Sequence, residues 1–122
     1  MSGIEYIVDT NCFIYLLSEH PEILPFTDSR WLFSYITEIE LLSKKELTTT
    51  ESKIIRQMLG TCTKYGHTQS ISELTINLRR KYSIKIPAAI IAATSIEMKI
   101  PLLTADKGFA QIKEIDCFIL EF

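Results

Sequence analysis

Three acidic residues stand where predicted strands give way to helices. Asp9 directly follows the apolar, β-prone residues 6–8, and Asp106 follows the apolar stretch "PLLTA". Glu40 lies about one turn into the helix that is predicted after "WLFSYI". Carboxylates gathered in one place repel each other unless protons or cations lie among them. If the three side chains share one crevice, the pattern therefore indicates a cation site.

The types of donor atom indicate which cation would bind. The carboxylates are accompanied by the hydroxyls of Thr10 and Thr104, and neither His nor Cys stands at ligand spacing. Hard oxygen ligands of this kind favour Mg²⁺ or Mn²⁺ over Zn²⁺. A divalent ion held by acids lowers the pKa of a bound water, orients that water for attack and neutralises charge on phosphoryl oxygens. The pattern therefore suits phosphodiester hydrolysis.

Each acid also has a purely structural explanation. Asp9 and Asp106 are good N-cap residues, and Glu40 could close a capping box with Thr37. A phosphoacceptor receiver domain is a further alternative, since it too carries acids at strand ends. Such a domain has an adjacent pair of acids after its first strand, whereas Asp9 is followed by a threonine and an asparagine.

The elements that must position these acids alternate along the chain. Strands are predicted, with helices between them, at residues 6–8, residues 31–36, "KYGHTQS", residues 102–103 and "DCFILEF". This alternation predicts an α/β fold in three layers (α/β/α), with a central, mainly parallel sheet of about five strands. The functional crevice of such a sheet lies at the carboxyl ends of its strands, where the three acids stand.

Two of the helices are predicted to begin at capping boxes. Thr48 with Glu51 and Ser70 with Glu73 each place a hydroxyl residue three positions before a glutamate. In that arrangement the two side chains accept hydrogen bonds from each other's backbone N–H groups.

The composition bounds the class of protein. The 122 residues fit one domain (1–122), and a hydrophobic content of 47% supplies its core. The net charge of -2 argues against a protein that holds nucleic acid through bulk positive charge. Two local basic clusters, residues 44–45 and 79–85, are either solvated helix faces or candidates for steering an RNA backbone.

The sequence also bears on location. No apolar run approaches the length that a membrane helix needs. The first residues, "MSGIEYIVD", carry an acid and lack the basic region of a secretory signal. We therefore expect a cytoplasmic protein without membrane contact.

Three stretches resemble one protein family: "YIVDTNCFIYLL", "ITEIELLS" and "IPAAIIAATSIEMKIPLLTADKGF". Together they resemble the PIN domain (PilT N-terminus), in particular the small VapC-type toxins of bacterial and archaeal toxin–antitoxin pairs. The resemblance covers nearly the whole chain and is most specific over residues 87–109. It implies a Mg²⁺- or Mn²⁺-dependent endoribonuclease that acts on RNA, often forms a homodimer and is neutralised by a small antitoxin protein.

The resemblance also implies roles for individual residues. It makes three acids the catalytic and metal-binding set: Asp9, Glu40 and Asp106. Asn11 becomes a supporting residue beside the first acid, and Thr104 supplies the hydroxyl that accompanies the last one. Glu38 is the nearest rival of the second acid.

The same resemblance reveals a vacated acid position at Ala88. Similar proteins read Pro-Asp-Ala at the start of this helix, whereas this chain reads Pro87-Ala88-Ala89. The missing acid would contribute a metal ligand near Asp106, so we expect weak metal binding and poor or absent RNA cleavage. The substitution is either a deliberate one that silences a toxic nuclease or natural decay in a partner-binding paralogue. The alternative function is thus a catalytically silent PIN-like module that only binds a partner protein or RNA.

Overall fold

A five-stranded parallel sheet forms the centre of the computed structural model, which describes residues 3–122. The strands are β1 (Glu5–Val8), β2 (Arg30–Ser34), β3 (Thr63–Tyr65), β4 (Leu102–Thr104) and β5 (Cys117–Ile119). Their order across the sheet is β3-β2-β1-β4-β5, and every neighbouring pair is parallel. The predicted α/β/α architecture with a parallel sheet of about five strands is confirmed.

Helices cover both faces of this sheet. They are α1 (Thr10–Leu17), α2 (Tyr35–Leu42), α3 (Thr49–Leu59), α4 (Gln69–Lys81) and α5 (Ile86–Met98). Two short 3₁₀ helices, Pro21–Phe26 and Lys107–Gln111, complete the regular structure of the described residues. Among residues 3–122, no helix is both long and apolar enough to cross a bilayer.

The core consists of two apolar clusters, one on each side of the sheet. The side chains of β1 alternate between them, because successive residues of a strand point to opposite faces. Tyr6 and Val8 pack towards the first three helices, and Ile7 packs towards α4 and α5. A strand that is buried on both faces has to be apolar throughout, which explains the short apolar run that precedes Asp9.

Helix α5 is buried around most of its circumference. Ala89, Ala92 and Ala93 are fully buried, and their small side chains leave room for the neighbouring layers. A helix with apolar residues on all sides belongs inside a protein rather than on its surface. Because Ala89 is buried in the first turn of α5, the neighbouring Ala88 is held at a fixed position.

The capping predictions succeed for one helix and fail by two residues for another. Thr48 and Glu51 form the predicted capping box, with both reciprocal hydrogen bonds at 3.0 Å. Helix α4 begins earlier than predicted, because Thr68 rather than Ser70 accepts the hydrogen bond from the N–H of Ile71.

The start of α2 also differs from the prediction. Ser34 caps this helix by accepting a hydrogen bond of 3.2 Å from the N–H of Ile36, so the predicted strand over residues 31–36 ends at Ser34. Thr37 is thereby the third residue of the helix and cannot be its N-cap. The capping-box explanation of Glu40 is therefore wrong, and that side chain is available for another role.

Candidate active site and metal centre

Two of the predicted acids meet at the carboxyl ends of the central strands. Strands β1 and β4 are neighbours, and the N–H of Asp9 donates to the carbonyl of Leu103 at 3.1 Å. The hydroxyl of Thr104 donates a hydrogen bond to the carboxylate of Asp9 and accepts one of 3.0 Å from the N–H of Asp106. One buried threonine therefore joins the loops that carry both acids.

Asp9 is a buried carboxylate, with only 4% of its surface exposed. Burial raises the pKa of Asp9 above its ordinary value, hydrogen bonds from Thr104 and Cys12 lower it, and the charge of Asp106 raises it further. The bond from the N–H of Cys12 is 3.0 Å long and also caps α1. A buried anion next to a second acid is unfavourable by itself, so a bound cation would stabilise this arrangement.

Asp106 lies in a different environment, on the exposed side of the same edge. Its Oδ1 accepts a hydrogen bond of 2.8 Å from the N–H of Gly108, which caps the 3₁₀ helix Lys107–Gln111. A Cβ atom on Gly108 would lie 3.0 Å from this oxygen, so any other residue at this position would make the carboxylate shift by a few tenths of an ångström. The N-cap explanation of Asp106 is thus compatible with a place in the site.

Glu40 accepts a hydrogen bond from a hydroxyl group and has no direct contact with the first two acids among the hydrogen bonds of the described residues. Thr10 Oγ1 donates to Glu40 Oε1 over 2.6 Å, and the Oγ1 atoms of Thr10 and Thr37 are 3.1 Å apart. Because Thr10 follows Asp9, this contact brings Glu40 to the residue next to the buried acid. Its rival Glu38 instead forms an ion pair with Lys64 over 3.5 Å on the surface.

Ala88, the position that the family resemblance predicts to have lost an acid, shares a cavity with Asp106. Both residues line a cavity of about 300 Å³ between the first turn of α5 and the loop after β4, together with Lys85, Gly108 and Phe109. At this wall of the cavity the chain offers a methyl group, where an aspartate would offer two oxygens. Sequence alone could not show this cavity, because its lining comes from separate segments.

Asn11 and the basic clusters have less direct connections to the acids. Asn11 is exposed on α1 and takes no part in the hydrogen bonds that join the acids to the threonines within the described residues. In the cluster 79–85, Arg79 donates to the carbonyl of Ile84 at 3.1 Å, and Lys81 pairs with a glutamate at 3.0 Å. Of this cluster, Lys85 is the cation that lines the cavity with Asp106.

The donor atoms suit a hard divalent cation, although the set contains few carboxylates. Among residues 3–122, no three side chains of the His, Cys, Asp and Glu types lie close enough together to form a metal-binding group. The charge of Asp106 acts on Asp9, and Glu40 is hydrogen-bonded to Thr10, the residue that follows Asp9. Mg²⁺ is commonly bound through one or two carboxylates while it keeps several of its waters. The pair Asp9 and Asp106 therefore fits such an ion, whereas the predicted gathering of all three acids in one metal-binding group is not found among residues 3–122.

Sequence patterns do not assign three further residues to the site. The sequence context of Thr37 indicates a helix cap and gives no sign of a contact with Thr10. Gly108 has a usable signal, because a glycine two residues after an aspartate is typical of a turn in which the carboxylate accepts a backbone hydrogen bond. Lys85 was included in a basic cluster, but only the packing of α5 places it beside Asp106.

Comparisons with known proteins agree with this architecture. The model of the PIN domain family matches residues 6–115. A chain of a toxin–antitoxin complex from Klebsiella pneumoniae is 29% identical, with a TM-score of 0.79, over 90% of this chain and 94% of that chain. Chains of VapBC-1 from nontypeable Haemophilus influenzae and of DNA-bound VapBC from Salmonella typhimurium have TM-scores of 0.81 at 19% and 17% identity. Both likenesses cover 95% of this chain and 98% of the other, and at such low identity they show a shared fold. A search of curated proteins gives no match.

Proposed function

The chain belongs to the PIN domain family, and from this premise we propose that it has the architecture of a VapC-type toxin that hydrolyses RNA with Mg²⁺ or Mn²⁺. The observation that carries the proposal is the link from Asp9 through Thr104 to Asp106 at the carboxyl ends of the central strands. This pair of acids combines a buried carboxylate with an exposed one, which suits a site that a metal ion enters from solvent.

Three acids take distinct roles in this proposal. Asp9 and Asp106 would hold the ion, and Glu40 would complete the site or orient the attacking water. When bound, the ion supplies a Lewis acid that makes water a better nucleophile and balances charge on the phosphoryl group. Thr104 keeps the Asp9 carboxylate fixed by its hydrogen bond, and a bound cation would offset the cost of keeping this carboxylate ionised while it is buried.

Ala88 sets the level of activity in this proposal. With a methyl group in place of an acid beside Asp106, we expect metal binding to be weakened by about 10 to 100-fold, the usual effect of losing a supporting group. RNA cleavage would then be slow or absent. The same observation favours the second candidate function, a silent PIN-like module that retains only the binding of a partner protein or RNA.

Restoring the acid distinguishes the two functions. The parent chain and Ala88→Asp are incubated with structured RNA and Mn²⁺, with and without EDTA, and cleavage is followed on a gel. Cleavage that appears with Ala88→Asp and is abolished by EDTA supports the nuclease. Within that background, Asp106→Asn should abolish cleavage and Glu38→Gln should not, because Glu38 pairs with Lys64 on the surface. Silence in both forms supports the binding module.

We also propose a small antitoxin as the protein partner, in line with the toxin–antitoxin complex of the relative from Klebsiella pneumoniae. An apolar groove of about 330 Å³ lies among α1, α2, α3 and the segment that joins the last two. Its walls include Leu17 and Ile54, which are 40% and 48% exposed. Lys44 and Glu51 add one charge of each sign at this groove. An amphipathic segment with its apolar face in the groove suits these features.

Co-expression with the product of a neighbouring small reading frame tests the partner. Ile54→Glu should reduce co-purification at least about 10-fold, since it places a charge against the apolar face of the partner. Ile76→Glu is the matched control, because Ile76 is also 48% exposed but lies on α4, away from the groove. Equal loss with both variants would contradict the assignment.

We expect the chain to form a homodimer, which light scattering during size-exclusion chromatography would detect.

A further inference from the structure

A chain of two hydroxyl groups connects the interior of α2 with the Glu40 carboxylate. Thr37 and Glu40 are three residues apart on α2 and therefore lie on the same face of this helix. The hydroxyl of Thr10, on the neighbouring helix α1, lies between them, 3.1 Å from Thr37 Oγ1 and 2.6 Å from Glu40 Oε1. The three side chains thus form one hydrogen-bonded line across the α1–α2 contact.

The direction of the hydrogen bonds in this line follows from the groups themselves. An ionised carboxylate can only accept hydrogen bonds, and a threonine hydroxyl has a single proton to donate. Thr10 is the donor in both contacts, so its proton is directed mainly to Glu40 over the shorter distance, and Thr37 Oγ1 is the second acceptor. The separation of 2.6 Å between Thr10 and Glu40 is the length expected when a hydroxyl donates to a charged carboxylate.

Burial makes this arrangement hard to replace with water. Thr37 is fully buried, and a buried hydroxyl without a partner is unfavourable. An exposed glutamate would normally sample many rotamers, but here one carboxylate oxygen is tied to α1. Glu38 provides the contrast, because its carboxylate lies on the surface at 3.5 Å from Lys64 and has no such hydroxyl line.

We propose that Thr10 and Thr37 are positioning residues that hold the Glu40 carboxylate at the start of α1, next to the residue that follows Asp9. This inference rests on the proposed metal-dependent function. Thr10 follows Asp9 in the chain, so the turn that presents the buried acid also supplies the donor for the third acid. The line Thr37–Thr10–Glu40 thereby ties the acid of α2 to the start of α1, where Asp9 is the N-cap.

Metal binding provides the first test. Mn²⁺ alone is titrated into the full chain carrying Ala88→Asp, and its affinity is measured by calorimetry and by electron paramagnetic resonance. Adding Thr10→Val, which keeps the shape but removes the hydroxyl, should weaken Mn²⁺ binding about 10 to 100-fold. Thr10→Ser should restore the affinity, and Thr37→Val should reduce it by a smaller factor. Glu38→Gln is the matched control and should have no effect.

A spectroscopic test does not require the metal. The ¹³C resonance of the Glu40 carboxyl carbon, recorded in the metal-free parent chain, should shift with Thr10→Val and return with Thr10→Ser. An unchanged resonance in folded Thr10→Val, or unchanged Mn²⁺ affinity in its Ala88→Asp background, would overturn the inference. If Thr10→Val does not fold, Thr37→Val decides by the same two measurements. Absence of both Mn²⁺ binding and RNA cleavage with Ala88→Asp would refute the proposed function instead, while the resonance still tests the positioning.

Discussion

Replacing Gly108 by alanine should disturb Asp106 while leaving the fold in place. The added Cβ would lie 3.0 Å from Asp106 Oδ1, closer than nearly all Cβ contacts, so the carboxylate has to move by a few tenths of an ångström. That oxygen now accepts the 2.8 Å hydrogen bond that caps a 3₁₀ helix. Loss of an N-cap costs about 1 kcal/mol, which for a domain of this size lowers Tm by roughly 4 °C.

The effect on metal binding should exceed the effect on stability. A ligand set works only when its members are held to within about 0.5 Å of the required geometry. We therefore expect Gly108→Ala to weaken Mn²⁺ binding about 10-fold when added to Ala88→Asp. Calorimetric titration measures the affinity, and a thermal melt followed by circular dichroism measures Tm.

A matched control separates this effect from a general effect of alanine. Gly66→Ala introduces a Cβ with no heavy atom within 4 Å, and it should leave both Mn²⁺ affinity and the site unchanged. If Gly108→Ala lowers Tm without changing Mn²⁺ affinity, Asp106 does not hold the ion. An equal loss of affinity with Gly66→Ala would also refute the reasoning.

Three further predictions follow from the structure. Burial raises the pKa of Asp9, so the folded chain loses stability as pH rises from about 3.8 through the native pKa. Chemical denaturation should therefore find Asp9→Asn more stable than the parent at pH 7 but not below pH 3.8. Asp28→Asn, at an exposed position, is the control. Phe13 is fully buried and packs against two aromatic rings. Phe13→Ala should therefore lower the free energy of unfolding, measured in a urea titration, by about 3 to 5 kcal/mol. A loss below about 1 kcal/mol would contradict the place of Phe13 in the core. Lys85 lines the cavity that also contains Asp106, so Lys85→Gln should weaken RNA binding. In binding titrations at several salt concentrations, the slope of log affinity against log salt should become shallower by about 0.7. Lys53→Gln on α3 is the control and should change neither the affinity nor the slope.

The layer architecture was predictable because local patterns determine it. Short apolar runs followed by helical spacing indicate buried parallel strands with crossover helices. Most of the sequence consists of such strand–helix units. The boundaries were less predictable, because competing caps are close together in sequence. Ser34 and Thr68 are capping residues, while Thr37 and Ser70 carry the same chemical signal a few residues later. Which hydroxyl caps a helix depends on where the preceding strand ends.

The candidate site was predictable only in part. Asp9 and Asp106 follow strands, so the general rule for parallel sheets brings them to one edge. The choice of Glu40 over Glu38 rested on family resemblance, because residues two positions apart lie on roughly opposite sides of a helix and both could be exposed. What distinguishes them is Lys64 on β3 for one and Thr10 on α1 for the other, and neither neighbour is close in sequence.

The pairing of β1 with β4 has a consequence for synthesis on the ribosome. Asp9 and Thr104 are 95 positions apart in the chain, although their side chains are bonded in the folded structure. A growing polypeptide therefore presents β1 long before the strand that completes its second edge. Truncated translation products that stop before residue 102 would have an open sheet edge and would be directed towards aggregation or proteolysis. A host cell would thus meet the complete acidic edge only in molecules that extend past Asp106.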